Sequence, residues 1–325
     1  MTTLRLISLQ LAAACAALAA AGASAAEFPT RAIRVLVGFA PGGSADIIAR
    51  AVGQKLSESF RHPVVVDNRS GASGIIATEL ASKAEPDGYT LLEATMTTHG
   101  TGPHLYRKLP YDAVNDFAPV AGLARIPLVM FVHASVPANG LNQFIAAAKG
   151  APGKFRYGSA GAGSPPHLVA ELLKLKTGVQ LLHVPYKGTG AALPDLIAGQ
   201  IHMMIDGPPP FLPHAKAGKL KALAAASEKR NPLLPHVPTF AEAGMSGMEA
   251  GLWYGILAPK RTPKAVIAKL NAAINRALAE ADLRERFATL GVETLGGPPE
   301  AFARYMAAEH KRWGEVVRAA NIKIE

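Results

Sequence analysis

From residue 33 onward, short β-rich runs alternate with longer amphipathic stretches, and no other feature restricts the fold of this chain as strongly. Ile33–Val37 is followed by a helical pattern over 45–59, the run 64–66 by another over 74–82, and 89–92 closes the unit. A side-chain period of two that switches to 3.6 and back reads as βαβαβ. Strands that return through helical crossovers must lie parallel. A second series follows, with strand-like 128–132, 181–184, 203–205 and 220–226 and helical 141–149, 166–176 and 191–198. From residue 263 the pattern turns into three amphipathic helices, 263–279, 282–290 and 299–319, with no strand expected between them. Those helices need a sheet to cover, and the first sheet is the one available. Extended segments at 120–132 and 251–258 would then cross between the two series. The expectation is an α/β protein of two lobes, 27–125 plus 253–325 and 126–252, joined by a hinge with a ligand cleft between them.

The first 25 residues have a different character. Arg5 precedes an apolar stretch from Leu6 through Ala21 broken only by Ser8 and Gln10, and Ala23-Ser24-Ala25 follows. A basic start, a short apolar run and small residues at the end read as an export signal cleaved near Ala25. The stretch is too short and too Ala-rich for a spanning helix. Cys15, the single cysteine of the chain, lies inside this leader, so the mature chain has no thiol, disulfide or Cys-based metal site. A lipid attached at Cys15 is the lesser alternative, because Leu11-Ala12-Ala13-Ala14 puts Ala where a lipoprotein signal prefers Leu. The expected location is therefore periplasmic, and the expected form a soluble monomer. About 300 residues remain, enough for two cores, since single cores stop growing near ~250 to 300 residues.

Composition removes several classes. With 49% hydrophobic and 18% charged residues the chain is neither disordered nor a multi-span membrane protein. A formal charge of +10 would suit nucleic acid, but the basic residues never form a run of three and aromatic content is 6%, which leaves no stacking platform. No nucleic-acid partner is expected. The charge reads either as a general field favouring anionic ligands or as a solvated basic surface.

Three glycine-rich turns carry what chemistry there is. After the first strand, Gly38-Phe39-Ala40-Pro41-Gly42-Gly43-Ser44-Ala45-Asp46 leads straight into a helix. At the carboxyl end of a parallel strand this puts bare N–H groups at the positive end of a helix, where an anion binds. It is neither a dinucleotide fingerprint nor a Walker loop. The alternative is a plain strand-to-helix turn with Ser44 or Asp46 as cap or first-turn acid. The second turn, Tyr157 through His167, contains Ser159, Gly161, Gly163 and Ser164, with Ser164 placed to cap the next helix. Ser164 as a hydrolase nucleophile competes with that reading, which makes a secreted Ser-dependent hydrolase of the α/β class the alternative function. G-x-S-x-G fails, however, because residue 162 is Ala. In the third turn, Val184 through Gly190, Thr189 and adjacent amides are placed to hold a carboxylate, and Asp206, at the end of the next strand, to receive an ammonium, hydroxyl or water. Thr97, within Thr95-Met96-Thr97-Thr98-His99, would face the same cleft; burial or capping is the other reading for these threonines.

Ten histidines form no H-E-x-x-H and no close pair in sequence; His99 and His104 are the nearest. No metal site, no cofactor and no catalytic residue is expected.

Pro41-Gly42-Gly43 with Asp46 and Arg50, Val66-Asp67-Asn68-Arg69 with Gly71 and Gly74, Asp87 through Leu92, His183 through Gly188, Asp195-Leu196, Val237-Pro238-Thr239, Glu242-Ala243-Gly244, Trp253 and Arg312-Trp313 occur in this order. The set resembles the Bug family, the periplasmic substrate-binding proteins of tripartite tricarboxylate transporters, over essentially the whole mature chain. The resemblance implies a type II periplasmic binding protein that closes over a small organic carboxylate. Ala40 to Ser44 would hold it from one lobe, and Ser159, Gly161, Gly163, Ser164, Thr189 and Asp206 from the other. It also implies membrane transporter components, or a sensor, as partners. Ser73 stands where the family commonly has Gly, Thr189 where Gly is frequent, and Pro208-Pro209-Pro210 is unusually rigid.

Overall fold

A computed structural model describes residues 28–319; the expected leader, with Cys15 and Ala25, lies outside them. In the first unit β1 (Ile33–Val37) pairs in parallel with β2 (Val64–Asn68) on one side and β3 (Thr90–Thr95) on the other. Ile33, Val35, Leu36 and Val37 are all buried, because helices cover both faces of the sheet. One of these is α1 (Ser44–Phe60), whose Ile48, Ala49, Val52 and Leu56 form a buried stripe at helical spacing. It ends where Arg61 turns left-handed at φ 56°. Each fully buried aliphatic side chain contributes about 1.5 to 3 kcal/mol, so the stripe fixes the helix, and with it the preceding loop, on the sheet. After α2 (Ile75–Ser82), β3 runs into a single π-type turn, Met96–Thr101, before the short α3 (Gly102–Leu105). Thr95 and Thr98 cap that turn reciprocally, each side chain meeting the other's amide at 3.3 Å.

β4 (Phe117–His133) is the long element. Over Phe117 to Pro127 it pairs with β9 (Gly251–Pro259), and over Arg125 to Gly122 with β10 (Glu293–Gly296). Over Leu128 to His133 it pairs instead with β7 (Met203–Asp206) and β8 (Leu220–Ala226). The second unit is completed by α4 (Leu141–Gly150), β5 (Arg156–Ser159), α5 (Pro165–Thr177), β6 (Leu182–Pro185), α6 (Thr189–Ile197) and α7 (Leu212–Lys216), with β6, β5 and β7 parallel. The chain finishes with α8 (Lys264–Ala279), α9 (Ala281–Leu290) and α10 (Pro299–Ala319). Among the described residues no helix is long and apolar enough to cross a membrane.

Two expectations need correction. A strand, β10, does separate the second and third C-terminal helices; it is four residues long and depends on β4 for its hydrogen bonds, so no local pattern announces it. The segment before Ser159 is likewise a strand, β5, not part of a loop. Its Gly158 sits where a Cβ would come within 2.4 Å of Ile201, so close packing overrides strand propensity. The last helix is locked down in the same manner: a Cβ on Gly255 would lie 2.1 Å from the Phe302 ring, which packs edge-on against Trp253.

Candidate functional site

Three helices begin at one place. α1 starts at Ser44 after Gly43, α5 at Pro165 after Ser164, and α6 at Thr189 after Gly188, and none of the three has a side-chain cap. First-turn N–H groups have no intrahelical acceptor, and the aligned peptide dipoles leave positive potential there. Between these helix starts lies a cavity of ≈ 30 Å³, room for one or two waters. Of the residues expected in the site, Gly43, Ser44, Thr97, Thr189 and Asp206 line it. Thr95, Met96, Pro165, Leu252, Trp253 and Tyr254 also line it, and no Lys, Arg or His does. Thr95 and Met96 were within reach of sequence reasoning, as neighbours of Thr97. Leu252, Trp253 and Tyr254 arrive on β9 from a distant part of the chain, and only the sheet pairing of Thr95 with Tyr254 brings them in.

The rest of the first loop does other work. Ala40 donates its N–H to Lys187 O at 2.9 Å, and a Cβ on Gly190 would lie 1.9 Å from Pro41 O. Ala40 and Pro41 thus meet the third turn directly and seal the rim of the cavity; Pro41 and Gly42 are exposed. Asp46 braces this loop, accepting from Gly42 N–H at 3.0 Å while Arg50 Nε lies 2.8 Å from its other oxygen. Burial pushes its carboxyl up most, but Arg50, the Gly42 amide and Asn68 together hold it below the ordinary value. Ser44 is different: its Oγ is buried with no partner of good geometry, next to the Tyr254 phenol.

The second turn spends its groups on itself and on the opposite unit. The Ser164 hydroxyl donates to Gly161 O at 2.7 Å and not to the helix it precedes, so the expected cap is not made. Ser159, fully buried, touches Gly161 O at 3.1 Å, Gly161 N at 3.2 Å and His183 Nε2 at 2.6 Å. A serine beside an imidazole is what a hydrolase needs, but this one is closed to substrate, and Ser164 is equally buried. Gly163 donates its N–H to His167 Nδ1 at 3.0 Å. His167 and His183 stack with centroids 4.2 Å apart, and Tyr157 stacks on His183 at 4.8 Å. Burial, then the neighbouring His167, lowers His183 to about 4. The carbonyls of the turn point across the cleft: Ala162 O accepts from Ser73 Oγ at 2.6 Å and Tyr106 Oη at 3.2 Å, and Gly163 O from Thr101 Oγ1 at 3.0 Å.

On the cavity wall Asp206 is 1% exposed. Thr189 Oγ1 donates to its Oδ2 and the Gly207 N–H to its Oδ1 at 2.7 Å. Burial pushes its carboxyl up to about 6 against those two hydrogen bonds. Glu93, on the same sheet face as Thr95, is pushed well above the carboxylate range by burial first and Asp46 second, and both its oxygens lack partners. Among the described residues no group of three or more His, Cys, Asp or Glu side chains forms a metal site.

Two α/β units meeting around this cavity, which is lined by hydroxyls, apolar side chains and the Asp206 carboxyl, are the architecture of a periplasmic binding protein. The family model for tripartite tricarboxylate transporter receptors matches residues 48–322, and the chain belongs to that family of solute receptors, which is not enzymatic. BugT of Bordetella pertussis is 37% identical over 307 residues, 94% of each chain. A solved structure described as a periplasmic transporter superposes with a TM-score of 0.89 at 42% identity, covering 92% of this chain and 100% of that one. Rpa4515 of R. palustris, solved with adipate, gives 0.88 at 38% identity over 91% and 99% of the two chains. MatC of Rhodopseudomonas palustris, solved with bound malate, gives 0.85 at 35% identity over 89% and 100%.

Proposed function

We propose that this receptor is exported to the periplasm, is cleaved after Ala25, and captures a small organic carboxylate by closing two lobes, 27–125 plus 253–325 and 126–252, for the membrane components of a tripartite transporter. One observation carries the reading: the uncapped starts of α1 and α6, one from each unit, converge on a small cavity lined by no cationic side chain. Such a site holds an anion with fixed dipoles supplied from both sides, so only closure completes it. The change of β4 partners between Pro127 and Leu128 supports a hinge there. Room for one or two waters is less than a four-carbon acid needs, so the lobes must part to admit one. The relatives solved with adipate and malate support diacids as ligands.

In this reading Gly43, Ser44, Thr97, Thr189 and Asp206 meet the ligand, while Ala40, Pro41, Gly42, Asp46, Ser159, Gly161, Gly163 and Ser164 shape and seal the walls. The test is calorimetry with malate, adipate and monocarboxylic acids on the mature protein, with scattering to follow compaction and amino-terminal sequencing to find the start. Binding with compaction, and a start at Ala26, are expected. Absence of binding across the panel sinks the carboxylate assignment.

A further inference from the structure

Asp206 sets a problem for an anion site. A ligand carboxylate held by the starts of α1 and α6 meets the Asp206 side chain, because Thr189, the first residue of α6, donates its hydroxyl to Asp206 and both line the cavity wall with Ser44. A like charge at that distance in a buried site disfavours the second ionisation. Nothing nearby relieves it. From α1 comes Ser44, and two residues further on Asp46, whose charge is engaged with Arg50. β3 presents Glu93, its carboxyl pushed well above the usual range by burial and then by Asp46, and β9 presents the Tyr254 phenol, raised by burial first and Asp206 second. α6 offers only the Thr189 hydroxyl, and β4 only the aliphatic Val129 in register with Asp206.

We infer that a carboxylate ligand is captured in this cavity together with one proton, which Asp206 shares with the ligand's carboxyl group. The proton comes from solvent; the Asp206 carboxyl becomes an O–H donor and the ligand oxygen its acceptor, so two carboxylates occupy the site with one charge between them. In the empty receptor Asp206 titrates near pH 6. Above that pH it is ionised and must take up the proton on binding; below it the proton is already in place. Apparent affinity is therefore flat below pH ~6 and weakens by up to tenfold per pH unit above it. This inference rests on the carboxylate reading of the site and adds what that reading omits: the charge state in which the ligand is held.

The test is calorimetry of the full mature protein with malate and adipate, between pH 6.5 and 8, where both acids are fully ionised. Titrations at pH 7.5 in phosphate and in Tris, buffers of very different ionisation enthalpy, count protons. Expected are close to one proton taken up per ligand and a Kd up to ten times weaker at pH 8 than at pH 7. Asp206→Asn should abolish both the uptake and the pH dependence. If that variant does not fold, Thr189→Val, which removes a donor to the ionised carboxylate, should move the onset of weakening to higher pH. Binding by the parent with no proton uptake overturns the inference while leaving the carboxylate site standing. No binding by any acid overturns both.

Discussion

The first and second glycine turns look alike in sequence, each a strand, a run of small residues with serine, and a helix, yet the structure uses them in opposite ways. In the first, Gly43 leaves the helix uncapped and Ser44 Oγ unpartnered at the cavity. In the second, both serines bond to Gly161 O, and Pro165 and Pro166 remove two of the N–H groups an anion would use. One turn keeps its donors free. The other turns its carbonyls outward to accept from Ser73, Tyr106 and Thr101, and so acts as a latch between the halves. A glycine-rich loop before a helix is thus an anion site only where its hydrogen bonds remain unspent.

The sharpest way to break this comparison is at the rim, where the first turn meets the third. Gly190→Val places a branched side chain where even a Cβ would lie 1.9 Å from Pro41 O, so the closed form should be lost. Overpacking of ~3 kcal/mol would weaken ligand binding roughly a hundredfold or more, with the melting temperature of the ligand-free protein nearly unchanged. Calorimetry paired with scattering reads both.

Next in size is Ser44→Ala. A hydroxyl bonded to a charged ligand contributes ~1.5 to 3 kcal/mol, so affinity should fall about ten- to a hundredfold while stability holds or rises, because a buried unpartnered group is removed. Unchanged affinity would show that the first turn is as closed to ligand as the second.

The latch is tested by Ser73→Ala with Tyr106→Phe. Each hydrogen bond is worth ~0.5 to 1.5 kcal/mol to the closed form alone, so affinity should drop roughly tenfold through a shifted closure equilibrium, with a larger radius of gyration before ligand is added. A dimension unchanged by the double substitution would mean the carbonyls of Ala162 and Gly163 do not hold the halves together.

The smallest effect on binding is expected at Ser164→Ala. Its hydroxyl braces Gly161, so stability should fall by ~1 kcal/mol and affinity by less than about threefold, the reverse of Ser44. Acid should act on the same turn. His183 takes a proton near pH 6.5 when unfolded but near 4 when folded. Its contribution is complete above pH 6.5 and is lost as pH falls toward 4. His183→Gln should flatten that part of the melting profile. Affinity, governed by Asp206, runs the other way and improves from pH 8 to pH 6.

Ser73 shows how far a resemblance reaches. It departs from the family's usual glycine, and in sequence that departure had no meaning. In space its hydroxyl reaches Ala162 O at 2.6 Å, 89 residues away. Trp253 was visible as a family mark, but its place on the cavity wall was not.

The sequence by itself determined the βαβ order, the helix starts behind glycine turns and the family, because these follow from side-chain period and from which residues tolerate a tight turn before a helix. It also placed Thr189 and Asp206 at the ends that face a cleft. Only the tertiary structure decided which turn stays open. Whether a serine, an amide or a carbonyl is free depends on partners brought from distant segments, such as Ser73, Thr101 and Tyr106 for the second turn and Lys187 for the first. Hydrogen bonds saturate, and no local pattern records which have already been made.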